Sequence, residues 1–296
     1  MKLFFGMLRT LRPHQWVKNL FVVAPVFFAK QITHPSIIRG AVGAFVIFCL
    51  LAGCIYTLND IADVESDRIH PVKRNRPIAA GIVPLPAARA MLVVLLLGCG
   101  AASVWLSSVA SWGFAAVAAG YFVLNTAYSF KLKKIAYLDV SCIAAGFVLR
   151  VLAGGYATKT PVSGYMLACT ALLALFLGFG KRRHELSSKT ATKQRAALER
   201  YSPRALFWAL AITGFAAVGA YLAYTLGDAR RFFRSEWLWL TTIHPIVGVL
   251  RFLQLVRGSP KAESPTQEML RDTPFVVNLI LWVIEVVAIV YRLRPT

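Results

Sequence analysis

The stretch NDIADVESDRIHPVKRNRP, residues 59–77, decides how this chain is read. Asp60, Asp63, Glu65 and Asp67 are crowded together, and Arg68, Lys73, Arg74 and Arg76 follow almost at once. The cluster comes directly after the apolar run AVGAFVIFCLLAGCIY, residues 41–56. A dense charge cluster at the end of such a run belongs at a membrane–water boundary, because charge at bilayer depth is costly and usually marks function.

Working outward, the rest of the chain has the same apolar character. Of its 296 residues, 57% are hydrophobic and 16% charged. Apolar segments fall near 14–30, 39–60, 86–107, 112–130, 137–156, 164–180, 204–226, 236–256 and 273–292. These predict an all-α, polytopic integral membrane protein with eight or nine spans, the first being the weakest because it is short and contains Pro25. The amino-terminal residues lack an apolar core followed by a small-residue cleavage site, so no removable signal peptide is read. A single transmembrane domain over 1–296 is expected.

The formal net charge is +20. In a membrane protein, basic residues set topology and meet anionic lipid, so no nucleic-acid partner is read. With nine spans, most Lys and Arg fall on the side that carries the acidic cluster, which makes that side cytoplasmic and the membrane the cell's inner or plasma membrane. Arg230, Arg231 and Arg234 in GDARRFFRS run against this rule. The five cysteines lie in apolar segments without a CxxC pair, which predicts neither a disulfide framework nor a metal site for them.

The acids have helical spacing. Asn59, Asp63 and Asp67 are i, i+4, i+8, and Asp60, Asp63 and Asp67 are i, i+3, i+7, with Tyr56 a turn earlier. If the helix continues through them, like charges stack on one face and repel. Such a face calls for a cation, and hard oxygen donors suit Mg²⁺, which takes one or two carboxylates and completes its shell with phosphate and water. A metal–diphosphate site is therefore expected. Asn59, Asp63 and Asp67 are its metal ligands, Asp60, Asp63 and Asp67 its catalytic acids, and Lys73 and Arg76 hold the anion.

Three further basic segments join this site on the same reading. RPHQWVKN supplies Lys18 and Asn19, YSFKLKK supplies Tyr128, Lys131 and Lys133, and GKRRHE supplies Lys181, Arg182, Arg183, His184 and Glu185. Within the apolar segments, Arg150 and Glu285 need partners or a cavity, and Asp139 shares a helical stripe with Arg150. The expected anion-binding set is completed by Tyr56 and Arg150.

At NDIADVESD the chain resembles the UbiA superfamily of intramembrane prenyltransferases, whose first motif, NDxxDxxxD, is matched at Asn59, Asp60, Asp63 and Asp67. The resemblance implies about nine helices around a central cavity, Mg²⁺ and a diphosphate leaving group. A second aspartate-rich motif, usual after the sixth span, is replaced by GKRRHELSSK. RPHQWVKN, NDIADVESDRIHPVKRNRPIAAG, YSFKLKK and GKRRHEL together are similar to the decaprenyl-phosphate phosphoribosyltransferase branch. That similarity implies phosphoribosyl diphosphate and a polyprenyl phosphate as substrates. Prenyl transfer to an aromatic quinone precursor is the alternative, and a cation transporter the rival from another class. An oligomer is compatible with the sequence.

Overall fold

The computed structural model describes residues 1–31, 33–187, 198–229, 236–257, 268–269 and 271–292. Arg230, Arg231 and Arg234 lie outside the described residues, as does most of the 258–271 connector. Among the described residues all regular structure is helical. The helices are α1 (Lys2–Thr10), α2 (Ala24–Phe28), α3 (Pro35–Ala62), α4 (Val64–Ile69), α5 (Leu85–Val109), α6 (Gly113–Phe130), α7 (Leu138–Thr158), α8 (Gly164–Ser187), α9 (Pro203–Leu226), α10 (Ile243–Arg257) and α11 (Thr273–Val287).

Seven segments are long and apolar enough to cross a membrane: α3, α5, α7, α8, α9, Leu238–Arg257 and Thr273–Val290. The protein is thus a multi-pass membrane protein, and α6 adds an eighth apolar helix of 18 residues. The expected span at 14–30 takes another form. Pro13–Val22 is a 3₁₀ helix and α2 is only five residues long. Pro13 and Pro25 start these pieces, each where a missing backbone donor costs little. The polar His14, Gln15, Lys18 and Asn19 also leave no unbroken apolar face.

By contacts the chain forms two compact units. The first comprises 1–130 and 149–162, the second 131–148 and 163–296, so α7 contributes to both. In the first unit α3 packs on α5, α6 and the 3₁₀ segment. Phe48, Phe114 and Tyr121 lie at the centre of its core with Val22, Ala44 and Ala153. Lipid tails are as apolar as these side chains, so close packing and interhelical hydrogen bonds hold such helices together. Gly154 shows how close: a Cβ there would collide with the Val22 carbonyl oxygen. That approach brings the 3₁₀ segment, with buried Asn19, against α7.

Helix α1 leaves Leu3, Phe4 and Phe5 exposed while its Gly6 faces Ile82 and Val83. Exposed apolar residues on a short helix with basic neighbours are the signature of a helix lying in the membrane interface. Its C-cap, Leu11, packs against Gly53 of α3, and Arg12 then turns the chain with φ 52° and ψ 63°. A left-handed conformation at a non-glycine residue costs about 1–3 kcal/mol and persists only where surrounding contacts fix it.

In the second unit α8 packs on α9, with Phe176, Leu206, Leu210 and Phe252 in its core. Near one end of this unit the His244 ring contacts Asn278 Oδ1 through Nδ1 at 2.8 Å, and the Asn278 amide donates to the His244 carbonyl at 3.0 Å. Glu285 Oε2 lies 3.1 Å from His244 Nε2. This is the partner that the intramembrane Glu285 required. At the opposite end of α11, Asp272 caps the helix by accepting from Phe275 N–H and is gripped by Arg251 at 3.0 and 2.7 Å. That guanidinium, more than the cap, holds the Asp272 carboxyl below the usual carboxylate range.

Candidate active site

The expected continuous helix through the acids is interrupted. Helix α3 ends at Ala62, Asp63 sits at its C-cap with φ −96° and ψ 7°, and α4 begins at Val64. Asp63 N–H still bonds Asn59 C=O at 2.9 Å, and Asp67 N–H bonds Asp63 C=O at 2.8 Å, so the chain bends here but keeps its helical bonding. The bend divides the four motif residues into two pairs.

Asp60 and Asp67 form the buried pair, 2% and 1% exposed. Arg76 joins them, with Nη1 3.2 Å from Asp60 Oδ1 and 2.6 Å from Asp67 Oδ2. Arg12 adds a second guanidinium at 2.6 Å from the same Asp60 oxygen, and its cationic carbon lies 4.8 Å from the centre of the Tyr56 ring. Arg12 was not among the residues the sequence pointed to, although RPHQWVKN contains it.

Asn59 and Asp63 form the other pair, both half-buried, and their side chains make no hydrogen bond among the described residues. Among those residues no three or more His, Cys, Asp and Glu converge as a ready-made metal cage. The donor set still fits Mg²⁺: one uncommitted carboxylate and one amide oxygen, with two further carboxylates adjacent, match a cation that takes most of its ligands from phosphate and water.

The loop after α4 is shaped by short-range chemistry. His70 Nδ1 accepts from both Val72 and Lys73 N–H at 3.2 Å, which turns the chain into the 3₁₀ piece Lys73–Asn75. Pro77, Ile78 and Val83 then bury themselves beside Val64 and Ala88. This anchors Arg76 beneath the acids and leaves Lys73 exposed. Lys18 is also exposed, and Tyr128 is half-buried.

Deeper in the first unit, Arg150 is 7% exposed. It donates to Asn19 Oδ1 and to Tyr121 Oη, each at 2.7 Å, and its guanidinium carbon lies 4.7 Å from the Tyr121 ring centre. Asp139, which shares the helical stripe of Arg150, belongs to the second unit.

There Asp139, fully buried, meets Arg182, whose Nε lies 2.8 Å from Asp139 Oδ2. Arg182, only 1% exposed, also pairs with Glu185 on the next turn of α8. Tyr201 donates its hydroxyl to Asp139 and accepts from the Tyr137 N–H at 2.8 Å. Burial first, then the bond to Asp139, pushes the Tyr201 hydroxyl well above its ordinary pKa. Tyr137 has φ 66°, and its ring lies tilted against that of Tyr201, with centroids 4.7 Å apart. Lys131 and Lys181 of this unit are exposed and Lys133 half-buried.

Residues 19–185 match the UbiA prenyltransferase family, a stretch that takes in parts of both units. The chain belongs to that family and is a transferase of its class. It is similar along its length to proteins named decaprenyl-phosphate phosphoribosyltransferase. The one from Mycolicibacterium smegmatis is 33% identical over 97% of this chain and 92% of that protein. The one from Corynebacterium glutamicum is 36% identical over 97% and 87%. Among solved structures, a UbiA homologue from Archaeoglobus fulgidus bound to GPP and Mg²⁺ matches 96% of this chain and 99% of that one, with a TM-score of 0.69 at 19% identity. A digeranylgeranylglyceryl phosphate synthase matches with a TM-score of 0.70, also at 19% identity, over 96% of this chain and 98% of that one. These structures share the fold. The family and branch that the motifs resembled are borne out.

Proposed function

We propose that the protein transfers 5-phosphoribose from phosphoribosyl diphosphate to a polyprenyl phosphate, releasing diphosphate, with Mg²⁺. The observation that carries this reading is the near full-length similarity to enzymes of that name. The site is consistent with it, since acids and arginines alternate where a metal and a phosphate would be held side by side.

On this reading Asn59 and Asp63, with Asp67, would hold Mg²⁺, and the bound cation would supply charge to offset the diphosphate. Arg76, Arg12, Lys73 and Lys18 bind phosphate oxygens. As the C1–O bond to diphosphate breaks, positive charge develops on the ribose ring and the lipid phosphate oxygen bonds to C1, with Asp60 and Asp67 beside the cation site and engaged by Arg12 and Arg76. That oxygen is already anionic, so the chain need not supply a strong base. The rate comes from positioning and from charge placed before the reaction starts. Tyr56, Tyr128, Lys131, Lys133, Arg150 and Lys181 are assigned to the sugar phosphate and the lipid phosphate. Arg182 is assigned to holding the end of α8, because both neighbouring acids already engage it. The basic loops favour a cytoplasmic site on the plasma membrane.

The test is label transfer in membranes supplied with Mg²⁺, labelled phosphoribosyl diphosphate and polyprenyl phosphate, with EDTA and Asp63→Ala alongside. Label should enter the lipid phase only with metal and the wild-type chain. Consumption of a prenyl diphosphate with an aromatic acceptor, and no phosphoribosyl transfer, would replace the reaction while leaving the family in place.

A further inference from the structure

Among the described residues, every hydrogen bond made by the Asp60 and Asp67 side chains comes from Arg12 or Arg76. The acids are closed to solvent, whereas the arginine side chains are 25% and 28% exposed. Each arginine therefore joins a buried acid to a side chain that still reaches solvent. We propose that Arg12 and Arg76 are exchangeable counter-ions that make cation and diphosphate bind as a unit, the acids passing to the cation as the arginines pass to phosphate. This rests on the reading of the site as a metal–diphosphate site.

The argument is one of charge. Asp60 Oδ1 accepts from both guanidiniums, so a cation drawn to that oxygen competes with both. A divalent cation alone would face two arginines that lose their acid while staying beside it. A diphosphate alone would lie against two buried carboxylates. Arriving together, each supplies what the other displaces, and neither the acids nor the arginines are left without an opposite charge. Arginine suits this exchange because its planar fork serves carboxylate and phosphate alike. Such coupling is reciprocal: whatever factor the cation adds to diphosphate affinity, diphosphate adds to cation affinity.

A sign reversal follows that a simple phosphate ligand would not show. Removing Arg76 weakens diphosphate binding yet strengthens binding of the cation alone, because the carboxylates no longer have to be taken from an arginine. The experiment titrates Mn²⁺ without diphosphate onto the full-length protein in detergent, read by electron paramagnetic resonance. It compares wild type, Arg76→Gln, Arg12→Gln, Asp63→Ala and Arg74→Gln, the last being an exposed neighbouring charge. Arg76→Gln and Arg12→Gln should bind Mn²⁺ roughly five- to tenfold more tightly, within the usual range of coupling between sites. Arg74→Gln should stay near wild type, and Asp63→Ala should lose binding. In parallel, labelled diphosphate should bind wild type roughly tenfold more tightly once Mn²⁺ is added, a gain that shrinks in Arg76→Gln. Folded glutamine variants that bind Mn²⁺ no more tightly than Arg74→Gln overturn the exchange. If those variants do not fold, a wild type whose diphosphate affinity ignores Mn²⁺ overturns it instead. A wild type that binds neither Mn²⁺ nor diphosphate removes the metal–diphosphate reading, and the exchange with it.

Discussion

Two clusters in this molecule use the same chemical pieces for different ends. In the first unit, Arg12 and Arg76 hold Asp60 and Asp67 from the edge of the protein, with about a quarter of each arginine side chain exposed. In the second, Arg182 lies between Asp139 and Glu185 with 1% of its surface exposed, and Tyr201 caps Asp139 from the other side. A guanidinium at the edge can turn to another anion. One that is walled in by its acids cannot leave without abandoning buried charge. The first arrangement fits the proposed exchange of ligands and the second a fixed ion pair, and the difference lies in exposure rather than in residue type.

The contrast can be broken most directly at Arg182. Arg182→Ala should cost about 3–5 kcal/mol by stranding a buried carboxylate. That loss would appear as a lower thermal midpoint and poor recovery from detergent; an unchanged midpoint would make the second cluster as adaptable as the first. Next in size is Asp63→Ala, which should lower transfer by roughly a hundred- to a thousandfold, as loss of one charge-stabilising group does. Its melting should stay near wild type, since the Asp63 carboxylate makes no hydrogen bond among the described residues.

A smaller effect is expected at Tyr201→Phe, about 1–2 kcal/mol from the lost bond and the unpaired groups it leaves. The pH dependence has a definite sign. The folded hydroxyl keeps its proton to higher pH than an unfolded tyrosine does. Its contribution is therefore complete below the ordinary value of about 10 and shrinks as pH rises beyond it. Melting curves of wild type and Tyr201→Phe should converge above that pH, and curves that stay parallel would count against the buried bond. The smallest change is expected for the thermal midpoint of Asp272→Ala, in the same unit. Here the carboxyl is held low by Arg251, so its contribution is present near neutrality and fades as pH falls through the ordinary carboxylate value of about 4.

Much of this was legible in the sequence, for identifiable reasons. Apolar length gives the helices, and the spacing of Asp60, Asp63 and Asp67 gives the motif, because both are local properties. Arg12 was passed over because its contact with Asp60 joins residues 48 apart in the chain, which no local pattern encodes. Arg182 was read with the phosphate-binding bases because a basic residue looks the same in a sequence whether it faces a phosphate or a buried acid. Asp139, its partner, lies in a different helix. Arg150 and Glu285 were correctly singled out as needing company, yet the company proved to be Asn19, Tyr121 and His244. Polar partners far apart in the chain are set by packing, and packing is what periodicity cannot supply.

The His244 cluster also ties two turns of one helix to a single residue of another. Asn278 and Glu285 stand about two turns apart on α11, and both meet the same histidine of α10, one at each ring nitrogen. Rotating α11 about its axis, or sliding it along α10, would break both contacts together, so His244 acts as a pin that fixes the register of the two helices.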